Sequence, residues 1–248
     1  MTAQMPLQLV QPLRYSSGLY LAHSGVKKLI SSIETLAYQR VFSLAYVQGT
    51  AKSGKTHLGV YLVGQLQNLG KPARLVAGID LPEWYAAGFG GEPLQEGETV
   101  IIDDGDLCFE EISKNRQSGI FTDLTERMLQ IDGTVVVLGA RSPEELACSQ
   151  QIKSRLNSGV HLVIGGPAES ELDGLLNLIT KQRGLQLTES KRSYLLRRVT
   201  RTLPALVECV EKVEDTGDLS SSRTAYNVLA DAVALEPVTL PLLDRKIA

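Results

Sequence analysis

Residues 49–56 read Gly-Thr-Ala-Lys-Ser-Gly-Lys-Thr. The pattern G-x-x-x-x-G-K-T suits one chemistry, the clasping of a polyphosphate. Gly49 and Gly54 let main-chain N–H groups converge on phosphate oxygens, with Thr50, Ala51, Lys52 and Ser53 forming the turn between them. Lys55 would bring an ammonium to the β- and γ-phosphates, and Thr56 a hydroxyl to Mg²⁺. A helix opening at Lys55 adds its positive end to the same point. The flanks agree with this reading: an apolar run precedes the loop, and Leu58, Leu62 and Leu66 share one face of the helix that follows. Downstream, the run Thr99–Ile102 ends in Asp103 and Asp104. A carboxylate at a strand's C-terminal end can sit beside a phosphate-bound metal, so Asp103 is the expected metal-side acid. Asp104 could then orient an attacking water. The ligands implied are ATP or ADP, with Mg²⁺.

Such a loop needs a parallel sheet to hold it. Five short apolar runs fit that role: Leu44–Val47, Arg74–Ala77, Thr99–Ile102, Thr134–Leu138 and His161–Ile164. Their continuous apolar character suits strands covered on both faces. Helical spacing begins near His23, with Val26, Leu29, Ile30 and Ile33 on one face. Further helices are expected over 56–69, 121–130 and 144–156, giving an alternating α/β sheet. After Gly165-Gly166-Pro167 the character changes, and only helices fit: 168–183, 189–199, 203–213 and 223–235. Thr188 is the expected N-cap of the second of these. Three parts follow: an extended N-terminal arm at 1–18, a nucleotide-binding core at 19–166, and a helical domain at 167–248.

The composition permits a sizeable core, with 43% apolar and 21% charged residues. A net charge of −3 argues against DNA binding driven by the protein's own charge. Three widely spaced cysteines, Cys108, Cys148 and Cys209, form no metal or disulfide pattern. Neither a membrane span nor a secretory leader is visible, so a cytoplasmic location is expected.

With the loop and acids in place, the chain resembles the DnaA-like branch of AAA+ ATPases over nearly its whole length. Gly54-Lys55-Thr56-His57-Leu58 is similar to the initiator's phosphate loop, and Ile101-Ile102-Asp103-Asp104 to its acidic strand. Gln151-Ile152-Lys153-Ser154-Arg155-Leu156 resembles the box carrying the arginine finger. Thr200-Arg201-Thr202-Leu203 stands where the family places its own-subunit nucleotide-sensing arginine, and 238–243 resembles the entry to the final lid helix. The resemblance implies a five-stranded parallel AAA+ sheet flanked by helices, followed by a small all-helical lid. It is nearest the short regulatory members that inactivate the initiator, since no match to the initiator's helix-turn-helix reader or oligomerisation domain is found.

The arm supports that choice. Gln8-Leu9-Val10-Gln11-Pro12-Leu13 resembles the segment with which those regulators bind the DNA polymerase sliding clamp. Leu9 and Leu13 would enter an apolar groove and Gln8 its polar edge, while Gln11 and Pro12 lie between them. Gln11 departs from the leucine expected there. The implied partners are a DnaA-type initiator and the clamp, with DNA met only indirectly and self-association possible. Arg155 would act in trans on ATP bound by the initiator. A second departure concerns turnover: the family commonly has an acid where Ala140 stands, so weak or absent hydrolysis by this chain is expected.

Two other readings stay open. A small-molecule kinase also uses such a loop. A helicase-loader-like remodeller would use the basic group Lys191, Arg192, Arg197, Arg198 and Arg201 against DNA.

Overall fold

The computed structural model describes residues 20–216 and 226–234. Strands β1 (Ser43–Gln48), β2 (Ala73–Ala77), β3 (Thr99–Asp103), β4 (Thr134–Gly139) and β5 (Val160–Val163) form one parallel sheet in the order β2-β3-β4-β1-β5. Every strand lies within a residue or two of its expected place. The loop 49–56 leaves β1, and Asp103–Asp104 leave β3; β4 lies between these two strands.

Alternation along each strand divides the core into two layers. Ala45, Val47, Ile101, Val136 and Leu138 face α1 (Ser24–Tyr38) and α2 (Lys55–Asn68), meeting Val26, Ile33, Leu58 and Leu62. Leu44, Tyr46, Val100, Ile102, Val135 and Val137 face the other way. That layer includes α3 (Leu81–Ala86), α4 (Gly105–Lys114), α5 (Gly119–Gln130) and α6 (Gln150–Ser158). Burial on both faces explains why the central strands read as unbroken apolar runs.

Three details differ from expectation. Helices α3 and α4 are additional. The helix expected over 144–156 is broken: Pro143–Glu145 forms a 3-10 turn boxed by Ser142 and Glu145, and α6 starts afresh at Gln150. There the Ser149 hydroxyl accepts from the Ile152 amide, so a new cap outcompetes continuation. Thr188 occupies the N-cap position of α8 (Glu189–Leu196), but its side chain makes no capping hydrogen bond.

Beyond β5 the described residues form only helices: α7 (Leu172–Gln182), α8, α9 (Leu203–Thr216) and α10 (Tyr226–Ala234). Their buried cluster, including Leu172, Leu176, Leu195, Leu206, Val210 and Leu229, draws on no buried residue of the sheet layers. The two parts are stitched at α1. Glu171 accepts from the Ser24 amide at 2.9 Å and from its hydroxyl at 2.7 Å, capping α1 from across the junction. Gly25 lies so close to Gly166 that a Cβ would meet the Gly166 carbonyl oxygen at 2.3 Å. Residues 1–19, 217–225 and 235–248 lie outside the described set, and with them the candidate arm Gln8, Leu9, Gln11, Pro12 and Leu13 and the match at 238–243.

Candidate functional site

The loop between β1 and α2 has the backbone its sequence demands. Gly54, at φ +88°, takes the left-handed turn into α2. A Cβ at Gly49 would stand 2.5 Å from Ser53 Oγ and 2.8 Å from Ile164 Cδ1, so both side chains would have to shift to admit another residue. The Lys55 ammonium donates to the carbonyls of Gly49 and Thr50 at 2.8 and 3.0 Å and thus lies curled within the loop. Ser53 Oγ is buried without a partner among the described residues. A close-packed glycine turn, a helix N-terminus, an ammonium and an unanswered hydroxyl together fit a polyphosphate.

The loop opens into a cavity of about 450 Å³, within the size range of small-molecule sites. Its floor is Ala51–His57, with Asp104 and Asp106 from the end of β3 and the first turn of α4, and Ala140 after β4. Its roof comes from the helical part, with Leu175 and Ile179 of α7, Arg183 just after it, and Leu203, Val207 and Glu211 along one stripe of α9. Tyr20, stacked on Tyr61 at 4.6 Å, and His23 close the end near α1. The walls are thus charged on the core side and largely aliphatic on the lid side, as a ligand with a phosphate tail and an apolar head requires.

Charge in the cavity is arranged around few groups. Asp104 sits at φ +49°, and its carboxyl is raised above the ordinary range. Burial is the main cause, then the charge of Asp103, with Lys55 opposing. The Asp103 side chain is buried and accepts from the Asp104 amide at 3.1 Å. His57 is pushed toward its neutral form by burial and by the nearby Arg183 cation. Lys52 reaches from the loop to Glu211 at 2.7 Å and Glu208 at 3.4 Å, and Arg183 joins Glu211 and Glu214 at 3.0 and 2.6 Å. Glu211 therefore links the phosphate loop to the lid. For Mg²⁺, Thr56 lines the cavity and Asp103 lies one residue behind its wall. A hydroxyl and a carboxylate suit a metal that takes its other ligands from phosphate and water.

Comparison with known proteins fits this geometry. No family model matches the chain. An uncharacterized protein of Haemophilus influenzae is 25% identical over 185 residues, 72% of this chain and 75% of its own. Domain III of the Thermotoga maritima replication initiation protein DnaA superposes with a TM-score of 0.62 at 17% identity, over 88% of this chain and 97% of that one. The replication initiator DnaA bound to AMPPCP and single-stranded DNA gives 0.59 at 15%, over 83% and 66%. The fold is that of a DnaA-like AAA+ ATPase domain. The Thermotoga maritima RuvB Holliday junction branch migration motor shares it, at a TM-score of 0.57 and 16% identity over 90% of this chain and 72% of its own. The chain spans just under two thirds of the initiator's length, 66%.

Within this DnaA-like fold the expected site residues divide. Ala51, Lys52, Ser53, Gly54, Lys55, Thr56 and Asp104 line the cavity, with Gly49 and Thr50 behind Lys55. Arg155 and Arg201 are not in its wall. Arg201, expected to reach the nucleotide, is instead held by Glu169 on the short turn before α7. Arg155 lies in a separate shallow groove with Phe42, Leu44, Leu129 and Ser158, where its Nε donates to Thr125 Oγ1 at 3.0 Å. In the basic group of the lid, Arg192 is paired with Asp173 at 2.8 Å and Arg201 with Glu169, so part of that charge is neutralised locally.

The residues that sequence reading missed are Asp106, His57, Arg183 and Glu211. Asp106 had a signal. Cys108, Phe109 and Ile112 carry helical spacing, which would have placed Asp106 in a first turn beside Asp104. Arg183 and Glu211 come together only through packing of α7 on α9, which no local pattern reveals.

Proposed function

We propose that this chain is an adenine-nucleotide-binding regulator of chromosomal replication initiation, similar to Hda, the regulatory inactivator of DnaA. The observation that carries the nucleotide half is the loop 49–56, folded on close-packed glycines beneath a lid-covered cavity in a DnaA-like fold. ATP or ADP fits with its phosphates on the α2 N-terminus, Lys55 swinging from the loop carbonyls onto the β- and γ-oxygens. The base then lies toward Tyr20, Leu175 and Ile179. Thr56 and Asp103 are the residues that would hold Mg²⁺, which would neutralise phosphate charge there.

The regulatory half rests on Arg155. Its guanidinium is held by Thr125 and by Glu126, at 3.3 Å, on a face separate from the chain's own cavity. An arginine so placed has a role when another nucleotide is brought to it, and the planar, permanently charged fork suits developing charge on a γ-phosphate. In this reading the initiator's ATP is that nucleotide. The arm, through Gln8, Leu9, Gln11, Pro12 and Leu13, tethers the protein to the sliding clamp on DNA and raises the effective concentration of a weak encounter.

ATP hydrolysis by purified initiator, measured with clamp-loaded DNA, should rise on adding this protein. The Arg155→Ala variant should give no rise; an undiminished rise would remove the finger. Clamp pull-down should recover wild type and lose Gln8→Ala/Leu9→Ala, and equal recovery would remove the arm.

A further inference from the structure

Ala140 stands at the end of β4 where the resembling family commonly has an acid, and a methyl group cannot orient water. The structure brings a carboxylate to that place from another element. Asp106, in the first turn of α4, is only 4% exposed and belongs to the cavity wall with Lys55, Thr56, Asp104 and Ala140. Its Oδ2 accepts from the Ala140 amide at 3.2 Å and stands 3.6 Å from Arg141 Nε. The acid is thus fastened to the very residue that lacks one.

Its surroundings are built to hold it still. Arg141 donates to Glu110 at 2.8 Å, and Glu110 in turn accepts from the Ala147 amide at 3.1 Å. The Tyr46 hydroxyl donates to the Arg141 carbonyl at 2.7 Å. Gly139 is pressed so closely on Tyr46 that a Cβ would meet its hydroxyl oxygen at 2.0 Å. A group locked by several neighbours is pre-organised for chemistry at its free edge.

We infer that Asp106 takes over the missing acid's task, positioning the attacking water at the γ-phosphate together with Asp104, so that this chain hydrolyses its own bound ATP. The inference rests on the nucleotide-binding reading of the cavity. In the step, the water oxygen bonds to the γ-phosphorus as the bond from that phosphorus to the β,γ-bridging oxygen breaks. The electron pair leaves with ADP, and the water's proton passes by way of Asp104 to the phosphate product. Asp106 holds the water through its second proton, which stays on the transferred oxygen.

The test is single-turnover hydrolysis of ATP by the full chain, read beside equilibrium ATP affinity and thermal melting. Asp106→Asn keeps an oxygen to accept from Ala140 but loses the charge and exchanges the second acceptor oxygen for an NH2 donor. It should slow hydrolysis at least about tenfold while ATP affinity and melting are undiminished. Adding Ala140→Asp to Asp106→Asn moves a carboxylate back to β4 and should restore most of the rate, which a purely structural role for Asp106 would not produce. Hydrolysis at the wild-type rate in Asp106→Asn, or no recovery in the double variant with the fold intact, overturns the inference. So does a wild type that binds ATP but never cleaves it. A wild type that binds no nucleotide would instead fail the reading of the cavity itself.

Discussion

The cavity beneath the lid and the groove around Arg155 are both arginine- and carboxylate-bearing sites, yet they are built differently. The cavity gathers the ends of β1, β3 and β4, the start of α2, and two lid helices around one volume. Everything a phosphate tail needs is present in a single chain. The groove, at about 140 Å³, offers one guanidinium between two helices and an apolar floor of Phe42, Leu44 and Leu129. It is about a third of the cavity's volume and, among the described residues, contains no glycine-rich loop or helix N-terminus. The two sites are therefore built for different tasks: one encloses a volume, and the other presents a single guanidinium in a shallow groove.

That separation can be broken by crossing the two sites. The largest effect is expected on the groove side. Arg155→Ala should lower partner hydrolysis by about 10³-fold, the lower end of what arginine fingers contribute. The chain's own ATP affinity should stay within about twofold, because the replaced side chain touches no wall of the cavity. A parallel loss of ATP affinity would show that the sites are coupled.

Gly49→Ala gives the reverse. Its Cβ must displace both Ser53 Oγ and Ile164 Cδ1, an overpacking cost of about 1–3 kcal/mol that distorts the loop. Nucleotide affinity measured by fluorescence titration should fall by roughly tenfold or more, and wild-type affinity would show that the loop adjusts freely.

Smaller effects concern the link from loop to lid. Lys52 is more than a third exposed, so its pairs with Glu208 and Glu211 are screened. Lys52→Ala should shift thermal stability by no more than about 1 kcal/mol. A larger loss would mean that the lid hangs chiefly on this contact.

The last expectation is a pH dependence. The Ser24 hydroxyl and amide, then the Ala168 amide, hold the Glu171 carboxyl down at about 2, against an ordinary 4.5. A carboxyl depressed in the folded state contributes stability above its unfolded value, and that contribution fades as pH falls from about 4.5 toward about 2. Melting followed over that interval should decline less steeply in Glu171→Gln than in wild type. Parallel declines would assign the acid sensitivity elsewhere.

The sheet was legible because β1, β3 and β4 are covered on both faces and so consist of apolar runs that end at loops. The phosphate loop was legible because its chemistry is local: eight consecutive residues specify the turn, the cation and the helix start. Elements whose cues conflict were not. α3 has six residues and a proline in its first turn, and α4 begins within Asp-Gly-Asp, which reads as a turn. Side-chain destinations were hidden further still. Arg201 and Glu169 are 32 residues apart and meet only when the lid folds. Asp106 likewise acquires its meaning from a strand end 34 positions away.

The proposed function depends first on adenine-nucleotide binding at the loop 49–56 and its cavity. The direct measurement is an equilibrium titration of the purified chain with ATP and with ADP, alongside Lys55→Ala. One nucleotide should bind per chain, with affinity about 10- to 100-fold weaker in Lys55→Ala, the scale of a lost hydrogen bond to a charged group. No binding by the wild type, or equal binding by the variant, would contradict it.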